Sequence, residues 1–429
     1  MTPATSWGRY PRAPEARQIG LHDRHAALPH VAPQTLLAHG LGRSYGDVAL
    51  NEAGVLLRTR GLDRFIAFDA ATGILRAEAG VSLDDILTLV VPMGWFLPVT
   101  PGTRFVTLGG AVANDVHGKN HHSAGSFGHH VTAFELLRSD GTRRECRPDN
   151  PNADWFRATV GGLGLTGLIV WVEIQLARIA RPFMWVVNRR FDKLDDYWEL
   201  DAQLGARHSH GVAWVDCLNH GRGIYSAADF VGPGAPLPTA KPSTRSMPID
   251  PPISLINGLT LRAFNFAYFH KPLPADGVRP ALPFFYPLDG VLHWNRVYGR
   301  RGFFQYQCVL PPAAMREASN ALFDRIARHG LGSFLAVFKT FGNHAPAGLL
   351  SFPRPGATLA LDFPNQGERT LRLFNELDAI VHDAEGALYP AKDARMSSRM
   401  FQRSFPRLQE FAGFVDPKFS SSFWRRVSA

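Results

Sequence analysis

The first half of the chain alternates short apolar runs with turn residues, a texture that predicts strands rather than long helices. Leu36-Leu37-Ala38 runs into a glycine-rich turn, Val55-Leu56-Leu57 repeats the pattern, and residues 64–68 with 74–78 predict a hairpin around Ala71-Thr72-Gly73. The period then changes. Ser82 and Asp85 have the spacing of a capping box, and Leu83, Ile86, Leu87 and Val90 recur at helical intervals. Residues 107–113 predict the start of a small-residue helix, 134–138 with 142–145 a second hairpin, and 167–174 a long strand behind the Gly161-Gly162-Leu163-Gly164 turn. Strand, hairpin and capped helix in this order predict an α+β fold, without the strand–helix–strand repeat of a doubly wound domain.

Past residue 180 the pattern loosens. Pro233, Pro236, Pro238, Pro242, Pro248, Pro251, Pro252, Pro272, Pro274, Pro280 and Pro283 predict long loops over 231–287 in place of regular elements. Regular patterning returns with strands at 302–310, 334–339 and 358–363 and helices at 313–329 and 371–382, the first ending at Gly330. There is no internal repeat and no low-complexity tract.

Composition narrows the class. With 45% hydrophobic and 19% charged residues in 429, the chain is expected to fold as two or three domains. Its 40 glycines and 32 prolines exceed average usage. A net charge of +9 favours an anionic partner: nucleic acid, a phosphate-bearing small molecule or an acidic membrane surface. Cys146, Cys217 and Cys308 lie far apart, so neither a disulfide framework nor a zinc ribbon is expected, and a reducing compartment is. With no signal-peptide pattern and no apolar run of spanning length, the expectation is a soluble, cytoplasmic protein that leaves room for peripheral contact with a membrane.

Three segments carry the candidate chemistry. Residues 39–47, His-Gly-Leu-Gly-Arg-Ser-Tyr-Gly-Asp, follow a strand but miss the G-x-G-x-x-G spacing and its helix, so the dinucleotide motif fails. A Walker loop fails as well, with Ala113 and Asn120 at the positions that need Gly and Ser or Thr. Successive tight turns still make an anion-binding concavity, to which Arg43 and Ser44 add donors. In residues 101–128, Gly109, Gly110, Ala111 and Ala113 let the backbone approach a flat ligand beside His117, Lys119, His121 and His122. His117 and His121 are four apart, but Gly118 breaks the helix such a metal pair needs and no third ligand is evident, so no metal is expected. Tyr389, Lys392, Asp393 and Arg395 share one loop near the C-terminus, and nothing in their spacing alone makes Lys392 catalytic.

Gly-Arg-Ser-Tyr-Gly-Asp at 42–47, Pro-Gly-Thr-Arg at 101–104, the run at 109–128, Gly-Gly-Leu-Gly-Leu-Thr-Gly at 161–167, Trp-Asn-Arg-Val-Tyr-Gly at 294–299, Phe-Gln-Tyr-Gln at 304–307 and Tyr-Pro-Ala-Lys-Asp-Ala-Arg at 389–395 resemble, in order, the decaprenylphosphoryl-β-D-ribose 2′-oxidase family. These are FAD-dependent oxidoreductases of the vanillyl-alcohol-oxidase type. The resemblance implies a two-lobed FAD-binding domain over 1–180, an antiparallel-sheet substrate domain over 181–385 with mobile loops at 231–287, and a return to the FAD domain over 386–429. It implies that Gly42, Arg43, Ser44, Tyr45 and Gly46 hold the pyrophosphate. Gly102, Thr103, Thr107, Gly109, Gly110, Ala111, Ala113, Asn114, Asp115, His117 and Gly118 would line the flavin, Gly162, Gly167 and Ile169 would close on the adenosine side, and Tyr389 would reach the cofactor from the return.

The same resemblance implies Lys392 as the catalytic lysine, acting either as proton acceptor, if burial or a neighbouring cation lowers its pKa, or as an electrostatic or hydrogen-bonding group, with Tyr45, His117, Gln305 and Gln307 around the sugar and Lys119 and Lys339 favouring a substrate phosphate. Many relatives link the flavin covalently to a histidine that precedes serine; Arg43 stands there, so dissociable FAD is expected. A pocket cysteine of the family is matched by Ala360 and a pocket tyrosine by Phe285, which bears on substrate shape. Phe264, Phe266, Phe269, Phe284 and Phe285 either contact a prenyl chain or pack beneath their loop. The implied activity is oxidation of the 2′-hydroxyl of a lipid-linked phosphopentose, completed to an epimerisation by a separate nicotinamide-dependent keto-reductase. An aldonolactone- or alditol-type oxidase of soluble sugars is the alternative enzyme. A nucleic-acid-binding protein would need a basic stripe with interleaved aromatics, whereas the arginines here are spread.

Overall fold

The computed structural model describes residues 4–234 and 245–428. Three strands, Arg17–Gly20, Val55–Arg58 and Leu36–His39, form a parallel sheet. Beside it an antiparallel sheet runs in the order Arg143–Cys146, Val131–Leu137, Leu168–Gln175, Ile74–Glu78, Phe65–Asp69. The Leu83–Val90 helix packs on it through Leu83, Ile86, Leu87 and Val90, and the expected capping box is present, with Ser82 Oγ accepting from Asp85 N–H.

The largest sheet has eight antiparallel strands, in the order Gly277–Pro280, Phe183–Phe191, Gly223–Phe230, His210–Val215, Ala336–Phe341, Gly356–Pro364, Phe303–Leu310, Ala387–Leu388. Period-two alternation decides what each face does. Phe304, Tyr306, Cys308, Leu359, Leu361, Phe363 and Phe338 point to one side, where Leu322, Phe323 and Ile326 of the Met315–His329 helix and Leu373, Phe374 and Leu377 of the Glu368–Asp383 helix complete a core. Gln305, Gln307, Val337, Lys339, Thr358 and Ala360 point to the other side and line a cavity. The C-terminal segment closes back on the first strands: Leu36 N–H donates to Lys418 O at 2.7 Å, and Arg426 bridges Asp47 at 2.7 Å and Asp393 at 3.1 Å.

The proline-rich stretch is more regular than expected. It contains the Gly258–His270 helix, the Gly277–Pro280 strand and the short Ala281–Phe285 helix. The prolines bracket the first helix, stopping at Pro252 and resuming at Pro272, and Asn257 caps it by accepting from Leu259 N–H at 3.0 Å and Thr260 N–H at 3.1 Å. Pro236, Pro238 and Pro242 lie outside the described residues. Cys146, Cys217 and Cys308 are buried and free. No helix of the described residues is long and apolar enough to cross a membrane.

Candidate active site

A cavity of about 470 Å³ separates the two smaller sheets from the inner face of the large one. Its first wall is backbone. The strand Leu36–His39 delivers the 40–45 loop, where Gly42 adopts φ 63°, a left-handed conformation that suits glycine. The loop is pinned by Trp7 N–H to Ser44 O and Tyr45 N–H to Ala391 O, both at 2.9 Å. Arg43 lies over the Trp7 ring at 4.2 Å, and its buried Nε has no hydrogen-bond partner among the described residues. Thr107 caps the Leu108–Ala113 helix by accepting from Gly110 N–H at 3.2 Å, which presents Gly109, Gly110, Ala113 and Asn114 to the cavity. Asn114 Oδ1 is likewise buried and unpaired among the described residues, and a Cβ at Gly102 would meet open space. An unpaired buried donor beside turn backbone, then an unpaired acceptor beside a small-residue platform, fit a diphosphate joined to a polar flat ring.

The opposite wall is made of side chains set by strand register. Gln307 opposes Ala360, Gln305 opposes Asp362, and Lys339 opposes Thr358. His117 reaches across to this wall: its Nε2 is 2.9 Å from Gln307 Nε2, and its Nδ1 is 2.9 Å from Lys339 Nζ. Because neutral imidazole carries one proton, the protonation of Lys339 and the orientation of the Gln307 amide are linked through this ring. Lys392 Nζ sits 4.0 Å from the centre of the Tyr45 ring. Gln305 Nε2 donates to Asp362 Oδ1 at 2.6 Å, while Gln305 Oε1 is buried without a partner among the described residues. Lys119 Nζ donates to the Phe284 and Phe285 carbonyls, and Lys339 Nζ also donates to Gly118 O.

Burial governs the charges. It pushes Lys119 and Lys339 down to about 7, the latter also repelled by Lys119, and drives His117 well below the ordinary imidazole value, with Lys339 adding to the effect. Burial lowers Lys392 as well, and the carboxylate of Asp362 partly restores it; burial raises Asp362. Asp289 is the carboxylate among the residues lining the cavity, where it accepts from Arg104 N–H at 2.9 Å; Asp362, the cross-strand neighbour of Gln305, is buried beside it and does not line the cavity. The chamber is therefore rich in basic groups and poor in acidic ones, and an anionic occupant would favour the charged form of its lysines.

Most of the expected residues meet here. Gly42, Arg43, Ser44, Tyr45, Gly102, Thr103, Thr107, Gly109, Gly110, Ala113, Asn114, His117, Gly118, Gly167, Ile169 and Tyr389 line the cavity, as do Lys119, Phe285, Gln305, Gln307, Lys339, Ala360 and Lys392. Four do not. Gly46 faces the Asp393 carbonyl, Ala111 is turned into the core, and Gly162 packs against Ala158 O. Asp115 is buried, accepting from Ser126 Oγ at 2.9 Å and Gly128 N–H at 2.8 Å, and so braces the loop from outside the cavity lining. His121 Nδ1 accepts from Gly342 N–H at 3.1 Å, and among the described residues no group of three or more His, Cys, Asp or Glu is arranged to hold a metal. Trp7, Thr100, Asp289 and Asp362 were not anticipated. Only Asp362 left a signal, being two residues past Ala360 on the same strand.

Residues 27–147 match the FAD binding domain family. Decaprenylphosphoryl-β-D-ribose oxidase of Mycolicibacterium smegmatis is 37% identical over 413 residues, covering 91% of this chain and 89% of that one. An uncharacterised protein of Streptomyces coelicolor is 34% identical over 379 residues, covering 81% of this chain and 100% of its own. The Δ(24)-sterol reductase of Homo sapiens is 33% identical over 124 residues, which is 29% of this chain and 23% of that protein. A backbone-lined groove with an FAD binding domain, facing a lysine- and glutamine-lined sheet within a chain similar nearly end to end to a sugar oxidase, places this chain in the decaprenylphosphoryl-β-D-ribose oxidase family of FAD-dependent oxidoreductases.

Proposed function

We propose that this protein oxidises the 2′-hydroxyl of a polyprenylphosphoryl-β-D-ribose-like sugar to the 2′-ketone, with a separate nicotinamide-dependent reductase completing an epimerisation. The observation that carries this reading is one cavity that joins a diphosphate-compatible loop, with Arg43 Nε unpaired among the described residues, to a chamber holding Lys392, Gln305, Gln307, His117 and Lys339. In this reading residues up to about 180 bind FAD in two lobes, 181–385 form the substrate domain, and 386–429 return to the first. FAD supplies the hydride acceptor when bound.

The chain's own residues do the rest. Arg43 and the 40–45 backbone neutralise and hold the diphosphate, and Gly109, Gly110, Ala113 and Asn114 seat the flat ring. Gln305 Oε1, unpaired among the described residues, accepts from a sugar hydroxyl, and Gln307, held against His117, fixes a second polar contact. Lys392, its ammonium disfavoured by burial, takes the hydroxyl proton as the C–H bond gives up its hydride, so two electrons and two hydrogens leave the substrate in all. Lys119 and Lys339 offset the substrate phosphate. Phe285 and Ala360 set the pocket's shape where the family has tyrosine and cysteine.

Anaerobic addition of a polyprenylphosphoryl ribose bleaches the FAD absorbance of the loaded protein, and free pentitols or aldonolactones do not. Bleaching by the soluble sugars alone would assign the protein to the other oxidase class.

A further inference from the structure

A second apolar surface lies outside the cavity. The Gly258–His270 helix is buried along Leu261, Asn265 and Phe269, and Asn265 Nδ2 fixes it to the body by donating to Asp216 Oδ1 at 2.8 Å. A surface helix anchored on one stripe ordinarily turns polar groups to water. This helix instead presents Leu259, Ala263 and Phe266 on a second stripe, with Leu259 79% and Phe266 60% exposed. The surface continues through the preceding loop, where Ile253 is 74% and Ile249 59% exposed. It also reaches the cavity mouth. Arg245–Ser246 pairs in parallel with Val291–Leu292, Leu255 N–H donates to Val297 O at 2.9 Å, and Val291 and Leu292, both exposed, line the cavity. Single exposed apolar side chains are ordinary, but a connected group beside a ligand entrance marks an interaction surface.

Charge identifies the occupant. Between Asp229 and Asp276 the sequence holds one carboxylate, Asp250, and it is bound to Arg9 at 2.7 Å. Arg245 and Arg262 are exposed on the same segment, and Lys271 sits over the Tyr268 ring. An apolar face framed by cations and lacking free carboxylates complements an anionic bilayer. A second copy of this chain, itself carrying +9, would bring like charge against it.

We infer that the surface built from residues 249–266 with Val291 and Leu292 seats on an anionic lipid bilayer and holds the cavity mouth at headgroup level. This rests on the proposed function in one respect: the prenyl chain of the substrate then stays in lipid while its phosphosugar enters the cavity.

Flotation of the FAD-loaded full chain with vesicles tests it without any turnover, so its result is separate from that of the bleaching experiment. The protein floats with phosphatidylcholine vesicles containing phosphatidylglycerol, less with phosphatidylcholine alone, and less at high salt. Leu259→Glu with Phe266→Glu lowers the partition coefficient by about tenfold or more, with FAD content and thermal midpoint unchanged. Ile253→Glu, in a different segment, lowers it independently. No flotation with either vesicle, or full flotation of the double variant, overturns the inference. So does a vesicle-free dimer that the double variant dissolves, which would give the face to a second copy.

Discussion

Gly46→Ala tests whether the two halves of the site are held in register by direct backbone contact. Gly46 has φ −116°, outside the left-handed region, so alanine at this position tests chiefly the space around it. A Cβ there would lie 1.7 Å from Asp393 O, 2.5 Å from its carbonyl carbon and 2.8 Å from Ala394 Cα. Ordinary contact begins at 3.4 Å, so the 391–394 loop must retreat by about 1.7 Å or Gly46 must move by the same amount. That loop carries Lys392, whose Nζ is 4.0 Å from the Tyr45 ring centre, and Asp393, bound to Arg426 at 3.1 Å. Overpacking of this kind costs about 1–3 kcal/mol of stability. A misplacement of about 1 Å in a reacting group costs on the order of 10²-fold in rate. Stopped-flow bleaching of FAD-loaded Gly46→Ala by a polyprenylphosphoryl ribose is therefore expected to slow by about 10²-fold, while Gly232→Ala, where a Cβ meets open space, leaves it unchanged. A FAD-loaded Gly46→Ala protein that bleaches within about threefold of the unsubstituted rate would refute the reasoning.

Lys392→Ala retains FAD and loses bleaching; retained bleaching removes Lys392 from the proton step. The bleaching rate rises with pH as Lys392 loses its proton, and Asp362→Asn, which removes the carboxylate that raises the lysine, moves this limb to lower pH; an unmoved limb shows that the two groups do not interact. Acid precipitation leaves the FAD in the supernatant because Arg43 cannot form the histidine–flavin bond, and a yellow pellet contradicts this. Burial pushes His121 down to about 3, so the unfolded chain binds the proton more tightly: the contribution is complete above the ordinary histidine value and is lost as pH falls. At pH 5 the loss is about 2 kcal/mol, and denaturant titrations of His121→Gln at pH 7 and 5 show a smaller fall in stability than the unsubstituted protein; equal falls assign the acid sensitivity elsewhere.

Local signals identified much of this molecule. The capping box at Ser82, the hairpins, the helix ending at Gly330 and the strand holding Gln305 and Gln307 depend on residues near one another in sequence, and each is where its pattern puts it. The Gly258–His270 helix was hidden because proline density was averaged over a stretch whose prolines only bracket it. The strands Phe183–Phe191, His210–Val215 and Gly223–Phe230 carry no pattern picked out residue by residue and were covered only by the antiparallel-sheet domain that the resemblance implies.

The sequence by itself determined the α+β order, the glycine-rich loops, the surplus of positive charge and, through motifs in unbroken order, the family. Only the tertiary structure decided which of those residues meet. Arg43 lies over Trp7, Lys392 over Tyr45, and His117 between Gln307 and Lys339. It also left Gly46, Ala111, Asp115 and Gly162 off the cavity lining and put Asp362 beside Gln305 across the strands. The physical reason is range: caps, turns and periodicity act over a few residues, whereas these contacts are set by strand register and close backbone packing between segments far apart in the chain.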